Sequence, residues 1–377
     1  MTLRSLIAGA AALGGALAMA SGHGAAEPPL GLPMVPVPAN NPMTPAKVAL
    51  GDRLFHDPRF SATGEVSCAT CHAREKAFTD SPLSVSEGVN KLTGTRNAPT
   101  VLNAAFNQTQ FWDGREPDLE GQSGQPFLNP VEMALPSHQP ILDVVKADPE
   151  YREMVKDAFG IEPDAVTATH VKQAIASFER TLVTGDSPFD RWYFGGQEDA
   201  IDAAAKRGFQ VFLQDGRCVS CHTLNEKHAL FTDHRFHNIN VGFVHIEGDV
   251  YEMASAYAKA ARNKDEVDID VLTNKNTSEL GRFAVDNQWA GLGAFKTPTL
   301  RNIAVTAPYM HDGSLKDLEE VVKHYNNGGA LKEGDPINPY LSGGIRPLNL
   351  SDEQVADLVA FMKALTSPEY ADLAGGQ

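Results

Sequence analysis

Four cysteines occur in the 377 residues, and all four fall in two blocks of one pattern, Cys68-Ala-Thr-Cys71-His72 and Cys218-Val-Ser-Cys221-His222. In a C-x-x-C-H block the two thiols add across the vinyl groups of one haem, and the adjacent histidine turns back to ligate the iron. The pattern predicts two covalent c-type haems, ligated by His72 and His222. A zinc site of four thiolates would not need a histidine after each pair. A thioredoxin-like redox pair would need a single motif on a βαβ pattern, and no such pattern is visible.

The sixth coordination position decides what each haem does. Filled on both faces, a haem carries electrons; left open, it binds small molecules. After His72 the next histidine is His138, and the methionines between the motif and position 184 are Met133 and Met154. The first haem is therefore expected to have an open distal face, with Gln122, Pro126 and Glu132 beside it. Peroxide cleavage needs a group that takes a proton from the near oxygen and returns it to the leaving oxygen. Glu132 could do so if burial raises its pKa; a solvated surface glutamate is the ordinary alternative. In the second half, Leu318, Val321, Val322 and Tyr325 share one face of a helix expected over 315–325. Ser314 and Asp317 would cap it, and Asn326-Asn327-Gly328-Gly329 would end it. Tyr325 is thus a candidate phenolate ligand to the second iron, with Met310 as the competing sulfur ligand. A hydrogen-bonded core tyrosine is the plain alternative.

The elements that must hold these groups recur. A helix should begin at Thr44-Pro45 and end at Asp57-Pro58, just before the first haem motif. Ala203 to Leu213 reads as a helix just before the second. Ile175, Phe178 and Leu182 close the first unit on one helix face; Leu358, Phe361 and Leu365 close the second, behind a Ser351/Gln354 capping box. Strand signals are few. The expected fold is mainly α, with long loops and two cytochrome c-like domains, each around one haem, over 44–185 and 198–370. A Pro-rich lead-in covers 21–43. Residues 1–20, with Arg4, an apolar run and Ala18-Met19-Ala20, read as a signal peptide, which predicts export to the periplasm. No stretch is long enough for a membrane span. The net charge of −16 argues against nucleic acid and would suit a basic partner or simple solubility.

The chain resembles the bacterial di-haem cytochrome c peroxidase family, which includes MauG, over about Leu50 to Leu365. Besides the haem motifs, the resemblance rests on Gly94-Thr-Arg-Asn97-Ala-Pro-Thr, Phe111-Trp112-Asp-Gly-Arg115 and Asn129-Pro-Val-Glu132-Met. Further blocks are Ser177-Phe-Glu-Arg-Thr-Leu182, Phe295-Lys-Thr-Pro-Thr-Leu-Arg-Asn302 and Ala307-Pro-Tyr-Met-His-Asp-Gly313. The resemblance implies that the His72 haem reacts with peroxide, that Glu132 and Gln122 are the distal acid–base glutamate and glutamine, and that Trp112 lies between the haems. It also implies an inter-haem calcium site at Asn97 and the carbonyls of Thr306 and Pro308, a sensible oxygen set for a hard cation.

Two departures from the ordinary peroxidases imply the MauG branch. Their blocking histidine would fall near Glu87-Gly88, where this chain has none, and their methionine ligand corresponds to Tyr325. The MauG branch stores two oxidising equivalents across both haems and oxidises side chains of a partner protein. Its surface tryptophan, six residues before the second haem histidine, is Gly216 here, which leaves Trp192 and Trp289 as alternative exits. The charged stretch from His245 to Arg282 is longer than the family's usual connection and reads as a docking element or a solvated helical excursion. The expected activity is peroxide-driven oxidation of tryptophan or tyrosine in a partner protein. The alternative is reduction of hydrogen peroxide with electrons from a small cytochrome. A mere di-haem electron carrier would leave Glu132 and an open haem without use.

Overall fold

Each half is built around the crossing of an early and a late helix. The computed structural model describes residues 27–374 apart from 247, 331 and 333, so the expected signal peptide lies outside the described residues. Helix Pro45–His56 starts where Thr44 Oγ1 accepts the Lys47 N–H at 3.2 Å, with proline at the first helical position. It crosses helix Ala168–Glu179 at Gly51, where a β-carbon would run into the Ala174 carbonyl oxygen and stand 2.9 Å from Phe178 Cβ. Helix Ala203–Leu213 crosses Asp352–Lys363 in the same way. There Gly208 meets the Asp357 carbonyl and Phe361 Cβ, and the Ser351/Gln354 capping box is formed.

Smaller details repeat in one register. Thr100 Oγ1 donates to the Ala77 carbonyl at 2.6 Å, and Thr299 Oγ1 to that of Leu230 at 2.7 Å. Asn103 Oδ1 accepts the Thr184 N–H at 3.0 Å, and Asn302 Oδ1 that of Ser367 at 2.8 Å. Gln110 N–H donates to Glu116, and Tyr309 N–H to Leu315, both at 2.7 Å. Continued at the same spacing, Leu119 corresponds to Leu318, each the first residue of a helix; the first helix ends at Gln122 and the second at Asn326, so Pro126 is set against Tyr325 by number alone.

The helix expected over 315–325 runs Leu318–Asn326. Its cap is Asp317, which accepts the Glu320 N–H at 2.8 Å. Leu315 is held outside the helix by its bridge to Tyr309. Ser314 does not cap; its own N–H donates to Asp312. The only strands among the described residues are Phe236–His237 and Phe295–Lys296, paired antiparallel.

One apolar cluster gathers Leu50, Leu54, Phe55, Phe78 and Ile175; a second gathers Phe189, Phe209, Phe212, Phe231 and Phe361. A third, around Ala254, Tyr257, Val271, Leu280 and Phe283, belongs largely to the charged stretch. That stretch is helical, over Val250–Lys259, Lys264–Thr273 and Lys275–Glu279, but it is not a solvated excursion. Within it Ala254, Tyr257, Val271 and Leu272 turn inward, together with the polar Asp268, Thr277, Ser278 and Glu279. It is tied to the first half where Thr95 Oγ1 donates to the Val271 carbonyl at 2.8 Å and Arg96 Nη2 to that of Ser278 at 2.9 Å.

The Pro-rich lead-in is strapped down. The Gly31 carbonyl accepts from Ala229 N–H at 3.0 Å and from Arg301 Nη2 at 2.6 Å, and Arg301 pairs with buried Asp190 at 2.8 Å. At its other end Asn41 Nδ2 donates to Glu120 Oε1 at 2.8 Å and to the Gln173 carbonyl at 2.9 Å. No helix among the described residues is long and apolar enough to cross a membrane.

Candidate active site

The two motif histidines are prepared alike. His72 Nδ1 donates to the Phe78 carbonyl at 3.2 Å, and His222 Nδ1 to the Phe231 carbonyl at 2.9 Å, which leaves each Nε2 free for a metal. Burial pushes the pKa of both imidazoles down, so each is in the neutral form that ligates. Burial also pushes the thiols of Cys68, Cys71 and Cys218 up, with Cys71 at about 12.

One continuous cavity of about 780 Å³ is lined from both halves. Cys68, Cys71, His72, Asn97, Trp112, Gln122 and Glu132 border it from the first half, and Cys218, Cys221, His222, Thr306, Pro308 and Tyr325 from the second. Trp112 is pinned between them. Its Nε1 donates to the Asn97 carbonyl at 2.9 Å, its carbonyl accepts the Lys296 N–H at 2.7 Å, and Asn97 N–H donates to the His311 carbonyl at 2.8 Å. Asn97 with the Thr306 and Pro308 carbonyls offers oxygen donors at this junction.

On the distal side of the first motif, burial pushes Glu132 up to about 8; the Asp268 carboxylate adds to the rise and Arg115 opposes it. The main chain at Glu132 is fixed where Val89 N–H donates to its carbonyl at 2.8 Å. Gly88 lies so close that a β-carbon would strike the carbonyls of Val131 and Glu132. The chain at Gly88 and Val89 is therefore clamped against the turn that carries Glu132. His138 is occupied elsewhere, its Nε2 donating to the Gly124 carbonyl at 2.9 Å.

Tyr325 and Met310 both border the cavity at the second motif. Burial, with Cys218 and Cys221 nearby, pushes the Tyr325 phenol above its ordinary range. Its ionisation there would need a cation beside the oxygen, as haem iron would be. Trp192 packs half-buried on the second core, whereas Trp289 is 37% exposed. Trp289 stacks on Tyr251 at 4.8 Å and on Tyr340 at 6.0 Å.

Sequence reasoning missed a buried charge network behind Glu132. Arg96 and Arg115 both reach Asp113, at 2.5 and 3.1 Å, and Arg115 Nε reaches Asp268 at 2.7 Å. Burial alone would raise the Asp113 pKa, but the Arg115 and Arg96 guanidiniums hold it at about 2. It also missed Glu179, pushed up to about 8 by burial, whose Oε2 has no hydrogen-bond partner. Arg96, Asp113, Arg115 and Glu179 stand inside the motif blocks, which was the available signal. Asp268 stands in none.

Comparison with known proteins gives this arrangement its class. A family model described as di-haem cytochrome c peroxidase matches residues 45–199. The methylamine utilization protein MauG of Methylorubrum extorquens is 39% identical over 337 residues, covering 89% of this chain and 83% of that protein. Cytochrome c551 peroxidase of Nitrosomonas europaea is 35% identical over 337 residues, covering 89% and 85%. The crystal structure of a MauG-like protein associated with microbial copper homeostasis matches with a TM-score of 0.72 at 30% identity, covering 90% of this chain and 95% of that one. The site is that of a peroxidase-type oxidoreductase with two c-type haems. The chain belongs to the di-haem cytochrome c peroxidase and MauG family.

Proposed function

We propose that this chain is a MauG-like enzyme, exported to the periplasm, that uses hydrogen peroxide to oxidise tryptophan or tyrosine side chains of a partner protein. One observation carries the reading. The cavity is bordered in the first half by Pro126, whose side chain has no ligand atom, and in the second half, at the position that the repeat sets against it by number, by Tyr325, which has a phenol. The first haem is then open and the second closed by His222 and Tyr325. The haems supply the iron that receives peroxide and the store for its oxidising equivalents.

The chain's residues do the rest. Glu132 takes the proton from the near peroxide oxygen and returns it to the leaving one, and Gln122 orients the bound peroxide. Peroxide accepts two electrons and two protons and leaves as water; the electrons come from the partner's side chains. Trp112 offers an aromatic stepping stone between the haems. A calcium ion on Asn97 and the Thr306 and Pro308 carbonyls holds the junction that carries Trp112. Trp289, exposed and stacked between two tyrosines, is better supported than Trp192 as the exit.

The oxidised holoprotein is expected to show one high-spin and one low-spin haem by electron paramagnetic resonance. Two low-spin haems would refute an open first site. Function is tested by adding peroxide to the holoprotein together with any exported protein found to be encoded beside it, or with reduced small cytochrome. Oxidative mass change in the former, with cytochrome a poor donor, is the expected result. Fast cytochrome turnover with no modification would make it a cytochrome c peroxidase.

A further inference from the structure

The distal turn is held from outside its own half. Asn129 is buried, its Oδ1 accepts the Val131 N–H at 3.1 Å, and its carbonyl accepts the Glu132 N–H at 3.1 Å. Its Nδ2 donates to Asp268 Oδ2 at 2.9 Å. Asp268 is buried too, on helix Lys264–Thr273, and its other oxygen takes Arg115 Nε at 2.7 Å. One carboxylate thus grips both the turn that presents Glu132 and the cation nearest to it.

The charges balance without Glu132. Arg96, Asp113, Arg115 and Asp268 form a buried quartet of two cations and two anions. Arg115 is further fixed over the Phe111 ring, 3.5 Å from its centroid. Ionised Glu132 would add a negative charge that the quartet does not neutralise, beside an Asp268 carboxylate that repels it. The other titratable groups around it are the Cys68 and Cys71 thiols, Glu179 and His72 on the same cavity and Glu87 on the adjoining turn, and buried Lys296, pushed down to about 8, also faces Asp113.

We propose that Asp268, contributed by the extra helical segment, is a positioning residue for Glu132: it locks the distal turn and takes up Arg115, so that Glu132 meets peroxide as an uncompensated carboxyl. The segment over 250–279 is then a roof of the peroxide site. This rests on the reading of Glu132 as the acid–base group, but its test does not use what the oxidised protein does next.

The test is infrared titration of the holoprotein. The protonated-carboxyl band that disappears in Glu132→Gln is followed with pH in wild type, Asp268→Asn and Asp268→Glu. Wild type should keep the band to about pH 8. Asp268→Asn removes the like charge and releases Arg115, both of which favour the ionised form, so its midpoint should fall by one to two pH units, roughly the usual effect of one nearby charge. Asp268→Glu should stay near wild type. An unmoved midpoint in Asp268→Asn overturns the proposal, and so does a wild-type Glu132 already ionised at neutral pH, whatever the variants do. Peroxide reactivity unchanged in Glu132→Gln, with the band shifts intact, would leave Asp268 in place and displace only the function of Glu132.

Discussion

Glu132→Gln slows the reaction of the holoprotein with peroxide by about 10²–10⁴-fold, the usual size for lost general acid–base catalysis. Glutamine keeps the size of the side chain and cannot carry the proton. Haem content and the resting spectrum should be unchanged, because Glu132 touches neither haem motif in sequence and its turn is held through main-chain bonds to Val89 and Asn129. The pH dependence has a definite sign. Glu132 must be ionised to take the first proton, and burial places its pKa at about 8. The wild-type rate at fixed peroxide should therefore climb as pH rises through that value, and the variant should be flat across it. Stopped-flow spectra from pH 6 to pH 9 measure both. An unchanged rate would transfer the role, first to Gln122.

Tyr325→Phe abolishes the low-spin signal of the second haem in its resting form and spares the high-spin signal of the first. Only the phenol oxygen is lost. The helix Leu318–Asn326 keeps its Asp317 cap and its apolar contacts through Leu318 and Val322. With the second haem no longer closed by a phenolate, its potential should rise and the paired oxidised state should decay faster. Met310→Leu is the control, expected to leave both signals in place. The reverse pattern would make Met310 the ligand.

Much of this site can be read in the sequence because its parts are local. A C-x-x-C-H block states its own chemistry within five residues, and the Thr44 and Ser351 caps are signalled within three. Tyr325 was legible because helical period alone puts it on a face with Val322. The helix start was misplaced by three residues because Leu315 is apolar and in phase. Its bridge to Tyr309 depends on a turn that the helical pattern does not reveal. Asp268 was illegible for a different reason. Its partners Arg115 and Asn129 are 153 and 139 residues away, and nothing in its own neighbourhood distinguishes it from a surface acid. The 245–282 stretch likewise looked solvated because charge was counted along it, whereas Ala254, Tyr257, Val271 and Leu272 are buried and so are the polar Asp268, Thr277, Ser278 and Glu279, which no apolar period marks.

The strap at the N-terminal end bears on the order in which the molecule comes together. Gly31 lies 270 residues before Arg301, whose guanidinium donates to its carbonyl. Asn41 must wait in turn for Gln173, 132 residues later. Contacts of such long separation form late, since loop closure must precede them. The strap thus begins as a loose leader while each haem pocket takes shape. It seats across the Asp190–Arg301 pair only once Arg301 is in place. A chain ending before Arg301 would carry that leader unfastened at Gly31 and more open to proteolysis there.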